Sequence, residues 1–515
     1  MNHTTIDRSP PNQAPPSQPR PSPQKWKQLL FWAPALFVLL LALSLAIISN
    51  STSPHLTTLP LLRSLPFLKP TLFLTLLSPT KSKGTEALPP ISERPPCVRW
   101  MAPFLSGGGY SSEAWSYITA LHTHVKDPKF KLKIDQHGDL ESIDFWLGLP
   151  EESKALAYEL YSTECELSNT IVICHSEPGA WFPPLFQTPP CPPTGYGEPM
   201  FVVGRTMFET DRVAREHVRR CNAMGAVWVP TDFHLAAFVR SGVDPSKVAK
   251  IVQPVDVDFF DPSKHEALAL PTKNPIFSAA APRKTPPLNP MSTEKGFVFL
   301  SVFKWEHRKG WDVLLRAFLE EFSYSDGVAL YLLISAYHSD ADFIGKITNF
   351  VEEMGLKEPS NGWARVYAID THIPQSDLPR LYRAADAFVL PSRGEGWGRP
   401  IVEAMAMGLP VIATNWSGPT EYLTEENGYP LRVERMGRVR NGPFAGHLWA
   451  EPSVDGLRLL MRRVATDRDE GRRKGGRARE DMIRRFSPEV VAGIVAEEID
   501  KLSKSASRKS SVAGK

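Results

Sequence analysis

From about residue 96 onward, short apolar runs alternate with stretches of helical period. VRWMAPFL (98–105) predicts a strand, GGGYS a turn and SEAWSYITALHTHV a helix. NTIVICHS (169–176), AVWVP (226–230) and KIVQPV (250–255) predict further strands. Residues 261–295 break the alternation with seven prolines among small and polar residues, and predict a linker. The pattern then resumes, with strands at GFVFLSVF (296–303), VALYLLIS (328–335), ARVYAID (364–370), DAFVL (386–390) and PVIAT (410–414). GWDVLLRAFLEEF (310–322), SDLPRLYRAA (376–385) and RPIVEAMAM (399–407) predict the helices between them. A final helix is expected from Ser487-Pro488, a good N-cap followed by proline at the first helical position. The expectation is two doubly wound α/β domains, 96–260 and 296–503, facing each other across a cleft. Ligands of such sheets bind outside the carboxyl ends of the strands. The basic, Ser-rich tail 504–515 reads as disordered.

The N-terminal part is different. Residues 1–28 are rich in Pro, Ser and Gln and read as a disordered tail. Residues 29–48 carry no charge, and a helix of that length spans about 30 Å of hydrocarbon. Arg20, Lys25 and Lys27 precede it, so the positive-inside rule places the N-terminus in the cytosol and the body across the membrane, as in a type II protein. Residues 49–95 read as a stem. The leader holds a single acid, Asp7, before Thr85, which keeps a plastid or mitochondrial address as the alternative. The chain has 515 residues and a formal charge of +3, too small to argue for a nucleic-acid partner. All five cysteines fall in the first half. One or two disulfides of unreadable connectivity, or buried free thiols, both fit.

Candidate chemistry concentrates in PSRGEGWGRPIVEAMAMGLP (391–410). A glycine loop follows a strand and runs into a helix whose first turn holds Pro400. Ile401, Ala404, Met405 and Gly408 fall on one core face, and Gly408 suits the left-handed residue past the helix end. Free N–H groups at the helix start suit an anion. Glu395 and Glu403 are either hydroxyl acceptors of a ligand or ordinary solvated charges; spacing alone leaves both open.

The longer stretch LYRAADAFVLPSRGEGWGRPIVEAMAMGLPVIATNWSGPTEYL resembles the donor-site signature of glycosyltransferase family 4, the retaining nucleotide-sugar enzymes of the GT-B fold. The shared elements are the glycine loop, the glutamate pair, the EAMA-x-G-x-PVIAT continuation and the downstream Gly418 and Glu421. The resemblance implies that Glu403 accepts from ribose hydroxyls and that Glu395 contacts the transferred sugar. It also implies that the backbone of Gly396, Trp397 and Gly398 donates to sugar and phosphate. FLSVFKWEHRKGWDVLLRAF (299–318) resembles the family's diphosphate-holding segment. Lys309 falls on the family lysine, Lys304 falls where arginine is commonest, and Phe303 replaces the usual glycine. Lysine keeps the charge at 304 but loses the planar fork.

The first half resembles the family less closely. Gly107, Gly108 and Gly109 match its glycine-rich loop, or form a structural turn; no Walker lysine follows, so ATP and NAD are not indicated. ICHSEPGAW places His175 at a strand end where a family histidine contacts the donor sugar, with a structural histidine as the alternative. Glu209 and Asp211 are candidates for the acceptor cleft, or mark an exposed helix start. The pairs Asp256/Asp258, Asp340/Asp342 and Asp467/Asp469 fall outside the matching loops and read as surface charge. No metal or other cofactor is expected.

The expectation is therefore a GT-B hexosyltransferase behind an N-terminal transmembrane helix, in the Golgi or another secretory-pathway membrane. Its partners would be a UDP- or GDP-sugar and a glycan, lipid or protein hydroxyl, with Glu395, Lys309 and His175 as catalytic candidates. The rival is a tethered, non-catalytic GT-B glycan-binding or scaffold subunit. A phosphorylase or synthase of the same fold is a second enzyme reading.

Overall fold

A computed structural model describes residues 95–513, except 127, 196, 278–295, 337–340, 370–372 and the side chains of 509–513. The expected tail, apolar span and nearly all of the stem lie outside the described residues. Among the described residues no helix is long and apolar enough to cross a membrane.

The first lobe contains β1 (Cys97–Ala102), α1 (Gly109–His124), β2 (Lys131–Gln136), α2 (Ile143–Gly148), α3 (Glu151–Tyr161), β3 (Thr170–His175), β4 (Phe201–Arg205), α4 (Arg215–Ala223), β5 (Ala226–Val229), α5 (Asp232–Arg240) and β6 (Val248–Lys250). Its six strands are parallel, in the order β2-β1-β3-β4-β5-β6. TIVICH and AVWV are buried at every position. Such uninterrupted apolar strands are what a sheet covered on both faces requires.

The second lobe contains β7 (Phe297–Lys304), α6 (Trp311–Glu321), β8 (Val328–Ser335), α7 (Phe343–Glu353), β9 (Arg365–Ile369), α8 (Leu378–Arg383), β10 (Ala387–Leu390), α9 (Arg399–Ala406), β11 (Val411–Thr414) and β12 (Tyr429–Leu431). These strands are parallel too, in the order β12-β11-β10-β7-β8-β9. A two-stranded antiparallel ribbon, β13 (Val433–Arg438) and β14 (Leu448–Pro452), follows. Three helices end the chain: α10 (Val454–Thr466), α11 (Arg468–Phe486) and α12 (Pro488–Ala513).

The strand orders locate the functional ends. Chain direction across the sheet reverses between β1 and β3 in the first lobe and between β7 and β10 in the second. Crevices for ligands open at the carboxyl ends of such strand pairs. The loops concerned are 103–108 and 176 onward in one lobe, and 305–310 and 391–398 in the other.

Several sequence expectations are corrected. KIVQPV is not a strand: β6 stops at Lys250. Pro254 has no N–H to give to a ladder. The carbonyls of Ile251 and Val252 instead accept from Arg205 and Tyr117. The described part of the linker, 261–277, lies against the second lobe. Ile276 N–H donates to Val366 O at 2.7 Å, Val366 N–H to Phe277 O at 3.2 Å, and Tyr331 Oη to Pro271 O at 2.9 Å. The second domain does not keep the chain to 503. Helix α12 returns to the first lobe, where Val491, Ala492, Val495 and Ile499 are buried in the same cluster as Ile118 and Leu121 of α1. The tail expected to be disordered continues this helix to Ala513. Propagating a helix that packing has already nucleated costs little, even for a Ser- and Lys-rich sequence.

Four cysteines pair as Cys97–Cys165 and Cys174–Cys191, and Cys221 is free and buried. On a chain-entropy account each bridge contributes about 3–4 kcal/mol. Burial pushes the Cys221 thiol well above its ordinary value, which makes it a poor nucleophile. Non-reducing peptide mapping with alkylation should recover both bridged peptides and label Cys221 only after denaturation. Labelling of Cys97 or Cys174 in the native protein would contradict the pairing.

Candidate active site between the lobes

The two second-lobe loops are pressed together. Gly310 has φ of 69°, and a Cβ there would lie 1.9 Å from the carbonyl oxygen of Pro391. Only glycine fits both demands. Arg393 then ties loop to loop: its guanidinium donates to both carboxylate oxygens of Asp312 at 2.8 Å, to Glu451 at 2.9 Å and to the His307 carbonyl at 2.7 Å. The next loop fixes the Glu395 backbone. Glu395 N–H donates to Ser417 Oγ at 2.9 Å, and Gly418 N–H donates to Glu395 O at 2.9 Å.

The Glu395 carboxylate is buried and accepts from Lys309 Nζ at 2.8 and 2.9 Å, one bond to each oxygen. Arg308 approaches the same carboxylate at 3.5 Å. Burial alone would raise the Glu395 pKa, but Lys309 and then Arg308 outweigh it and hold the carboxyl below its ordinary value. Arg308 also donates to Gly394 O at 2.8 Å and Glu306 at 3.1 Å, and lies 3.8 Å from Glu209 of the first lobe. Sequence reading missed this arginine. Its only signal was a second cation beside Lys309.

Gly396, Trp397 and Gly398 are buried. Their N–H groups make no hydrogen bond among the described residues. Gly398, at φ 92°, caps helix α9, so these donors gather at a helix start. Buried unpaired N–H groups are uncommon in folded proteins. The Trp397 indole packs in the core on Tyr422 and Phe486, which leaves its backbone N–H as the group at the site. Glu403 lies one helical turn further on. Its Oε2 accepts from Tyr382 Oη at 2.9 Å, while Oε1 stands 3.8 Å from Arg399 Nε. Burial raises its carboxyl above the ordinary value. Lys304 ends β7 at an exposed position.

The first lobe supplies a different polar group. His175 is fully buried, and its Nδ1 accepts from Trp100 Nε1 at 2.9 Å. The neutral imidazole therefore carries its proton on Nε2, which faces Glu113 Oε2 at 3.1 Å. His175 is thus enclosed between Trp100 and Glu113, and its Nε2 faces the Glu113 carboxylate without completing a hydrogen bond among the described residues. Glu113 also receives Arg205 Nε at 2.8 Å and Nη2 at 2.5 Å. Burial opposes its ionisation, but Arg205 and then His175 pull its pKa down to about 2. Sequence reading assigned neither Glu113 nor Arg205, because a buried charge pair from a helix and a distant strand leaves no local pattern.

The lobes meet at the site itself. A Cβ on Gly394 would lie 2.1 Å from Glu209 O, and one on Gly396 would lie 2.6 Å from Met207 Sδ. Arg399 Nη1 donates to Ser116 Oγ of α1 at 3.1 Å. Glu421 accepts from Asp232 N–H at 3.1 Å and Lys250 Nζ at 3.0 Å. Asp211 is a strap rather than a cleft residue: its N–H donates to Leu448 O at 2.9 Å and its carboxylate accepts from Leu448 N–H at 2.6 Å. Gly107 takes a φ of 71° against Phe145, and Gly108 and Gly109 begin α1, with open space beside Gly109. The structure thus brings together Lys309, Glu395, the backbone of 396–398 and Glu209, and leaves His175, Asp211 and the Trp397 side chain outside.

Residues 294–436 match the model of a family described as glycosyl transferases group 1. A mannosylfructose-phosphate synthase of Agrobacterium fabrum is 30% identical over 127 residues, 24% of this chain and 26% of that protein. An O-antigen chain mannosyltransferase B of Escherichia coli is 42% identical over 84 residues, covering 16% and 20%. A D-inositol 3-phosphate glycosyltransferase of Segniliparus rotundus is 29% identical over 245 residues, covering 44% and 48%. The chain thus matches about a fifth to a half of the length of these curated relatives. Among solved structures, Anabaena HepE in complex with UDP and glucose matches with a TM-score of 0.52 at 14% identity, over 79% of this chain and all of that one. A sucrose-phosphate synthase of Thermosynechococcus elongatus matches with 0.52 at 15% identity, over 80% of this chain and all of that one. At such identity the likeness speaks to fold: the two facing parallel sheets form a GT-B fold, and the family match falls on the second lobe.

The first-lobe charge pair gives a pH prediction. Glu113 stabilisation is fully present above the ordinary value of 4.5 and is lost as pH falls toward about 2. Glu113→Gln leaves Arg205 buried without its counter-ion and should destabilise the protein by about 3–5 kcal/mol near neutrality. It should also flatten the loss of stability between those two pH values, read by denaturant unfolding across pH. An unchanged acid slope would contradict the assignment.

Proposed function

We propose that this protein is a retaining glycosyltransferase that moves a hexose from a nucleotide sugar to a hydroxyl of a glycan, lipid or protein. The observation that carries the reading is the set of N–H groups of Gly396, Trp397 and Gly398, without a hydrogen-bond partner among the described residues and gathered at the start of α9 beside Lys309. This is a preorganised place for a diphosphate: donors and a cation are fixed before the anion arrives. The relatives, a synthase of mannosylfructose phosphate and two sugar transferases, support it. So does the UDP held by the fold neighbour.

In this reading the diphosphate takes Lys309 and the α9 N–H groups, and Glu395 turns from Lys309 to the sugar hydroxyls. Glu403 Oε1, not hydrogen-bonded to a side chain here, accepts from the ribose. The bond from the anomeric carbon to the diphosphate oxygen breaks, and the acceptor oxygen bonds to the same face. The acceptor's proton passes to the leaving phosphate oxygen. Lys309 and the helix start stabilise the charge that develops there, the task a metal performs in other designs, so we propose turnover without a bound metal. Residues 29–48 would anchor the protein with its body in the lumen of the Golgi or another secretory membrane. Pairing of four cysteines supports an oxidising compartment over the cytosol. The rival reading, a tethered module without turnover, draws on one observation: Glu395 already occupies Lys309.

Lys309→Ala should lower the transfer rate by about 10²–10³-fold with a smaller effect on nucleotide affinity. Glu403→Ala should weaken nucleotide-sugar binding by about tenfold or more. Steady-state transfer over a nucleotide-sugar panel, with thermal shift against UDP, GDP and ADP, checks both. Binding without turnover by the wild type would favour the module. Wild-type turnover in both variants would contradict the site.

A further inference from the structure

The ribbon β13–β14 has no part in the site so far, yet it borders it. Ala450 N–H donates to the carbonyl of Arg393, two residues from Glu395. On the first-lobe side, Thr210 Oγ1 and His447 Nδ1 lie 2.9 Å apart, Asp211 is bonded to Leu448, and Phe444 packs edge-on against Phe208. The ribbon is therefore strapped to both lobes, at one mouth of the seam.

Its first strand is rich in arginine. Val439 turns inward and is buried, while Arg438 and Arg440 on either side of it are exposed, as is Arg435. None of these three makes a hydrogen bond or ion pair among the described residues. Arginines elsewhere in the second lobe behave differently. Arg432 pairs with Glu434, Arg458 with Glu320 and Glu321, Arg462 with Glu321 and Asp326, and Arg463 with Glu470. Arg435, Arg438 and Arg440 have no such carboxylate partner among the described residues. Arg440 also acts on the site: burial, then Arg393, lower the His307 pKa, and the charge of Arg440 adds to the effect. His307 is two residues from Lys309.

We propose that this arginine ribbon is a binding track for an anionic oligosaccharide, the acceptor chain, whose carboxylate, sulfate or phosphate groups pair with Arg438 and Arg440 while its end enters the seam. The proposal rests on the transferase reading. Guanidinium forks match planar oxyanions two bonds at a time. Arg440 lies just past β13, where Val439 N–H still donates to His447 O at 2.9 Å; alternate residues of such extended chain stand about 7 Å apart on one face, so Arg438 and Arg440 would meet successive charged groups, and Arg435 stands on the other face. A membrane is the poorer occupant. A bilayer lying on the ribbon would cover the mouth through which a soluble nucleotide sugar enters.

The test is fluorescence anisotropy with the whole protein and three labelled probes: tetragalacturonate, a short dextran sulfate and neutral cellotetraose. Pelleting with phosphatidylserine vesicles runs alongside. The charged probes should bind, and weaken as sodium chloride rises from about 50 to about 300 mM. The R438Q/R440Q variant should lose roughly tenfold or more in affinity, and the corresponding lysine variant should recover part of it. The preference between tetragalacturonate and dextran sulfate identifies the anion. Equal affinity in the glutamine variant, equal binding of cellotetraose, binding of vesicles alone, or no binding of any probe would each overturn the proposal. Thermal shift with UDP or GDP on the same glutamine variant keeps the two readings apart. A retained shift with lost oligosaccharide binding isolates the ribbon, whereas no shift in the wild type tells against the transferase reading instead.

Discussion

A carboxylate taken out of water must be paid for, and in this protein the compensation for Glu395 fixes the arrangement around it. Glu395 is buried at the seam and stays ionised because Lys309 holds both its oxygens and Arg308 stands beside them. That pair requires the 305–310 and 391–398 loops to lie against each other. Their contact in turn demands glycine at 310 and the four-bonded guanidinium of Arg393. The N–H groups of 396–398, buried beside it, have no protein acceptor among the described residues. An anion that binds there meets donors already in position, and it competes with Glu395 for the lysine.

The seam is also closed by direct bonds. Glu421, Asp211 and Arg399 each cross between lobes, and Arg308 reaches Glu209. Helix α12 adds a covalent return, burying Val495 and Ile499 of the chain's end in the first lobe. Substrate entry therefore has to work within, or briefly open, a set of hydrogen bonds of ordinary strength, each contributing about 1 kcal/mol. The site is held by the lobes jointly, because two of its glycines exist to admit the backbone of Glu209 and the side chain of Met207.

Much of this was readable along the chain where the signal is local. The strands from DAFVL to PVIAT, the glycine loop, Pro400 in the first turn of α9 and Gly408 with φ of 71° past its end all follow from neighbours in sequence. Lys309 and Glu395 were named from the same stretches. What escaped depends on residues far apart. Glu113 and Arg205 form a buried pair across 92 positions, and the His175 imidazole is enclosed by Trp100 and Glu113 on other elements. Trp397 sits in a loop that reads as ligand-facing, but its ring is drawn into the core by Tyr422 and Phe486. KIVQPV has a strand's composition, yet Pro254 and the side chains of Arg205 and Tyr117 claim its backbone. The prolines of 261–277 suggested a free linker, though extended chain with its carbonyls satisfied by Tyr331 and its neighbours is equally compatible with them.

The central claim is that Lys309 is held by Glu395 until a diphosphate takes its place. An experimental structure of the protein with UDP or GDP bound tests it most directly. The account predicts phosphate oxygens within hydrogen-bond reach of Lys309 Nζ and of the Gly396–Gly398 N–H groups, with the Glu395 carboxylate no longer spanning Lys309. A nucleotide bound elsewhere, or one bound in this loop with the Lys309–Glu395 pair intact, would contradict it.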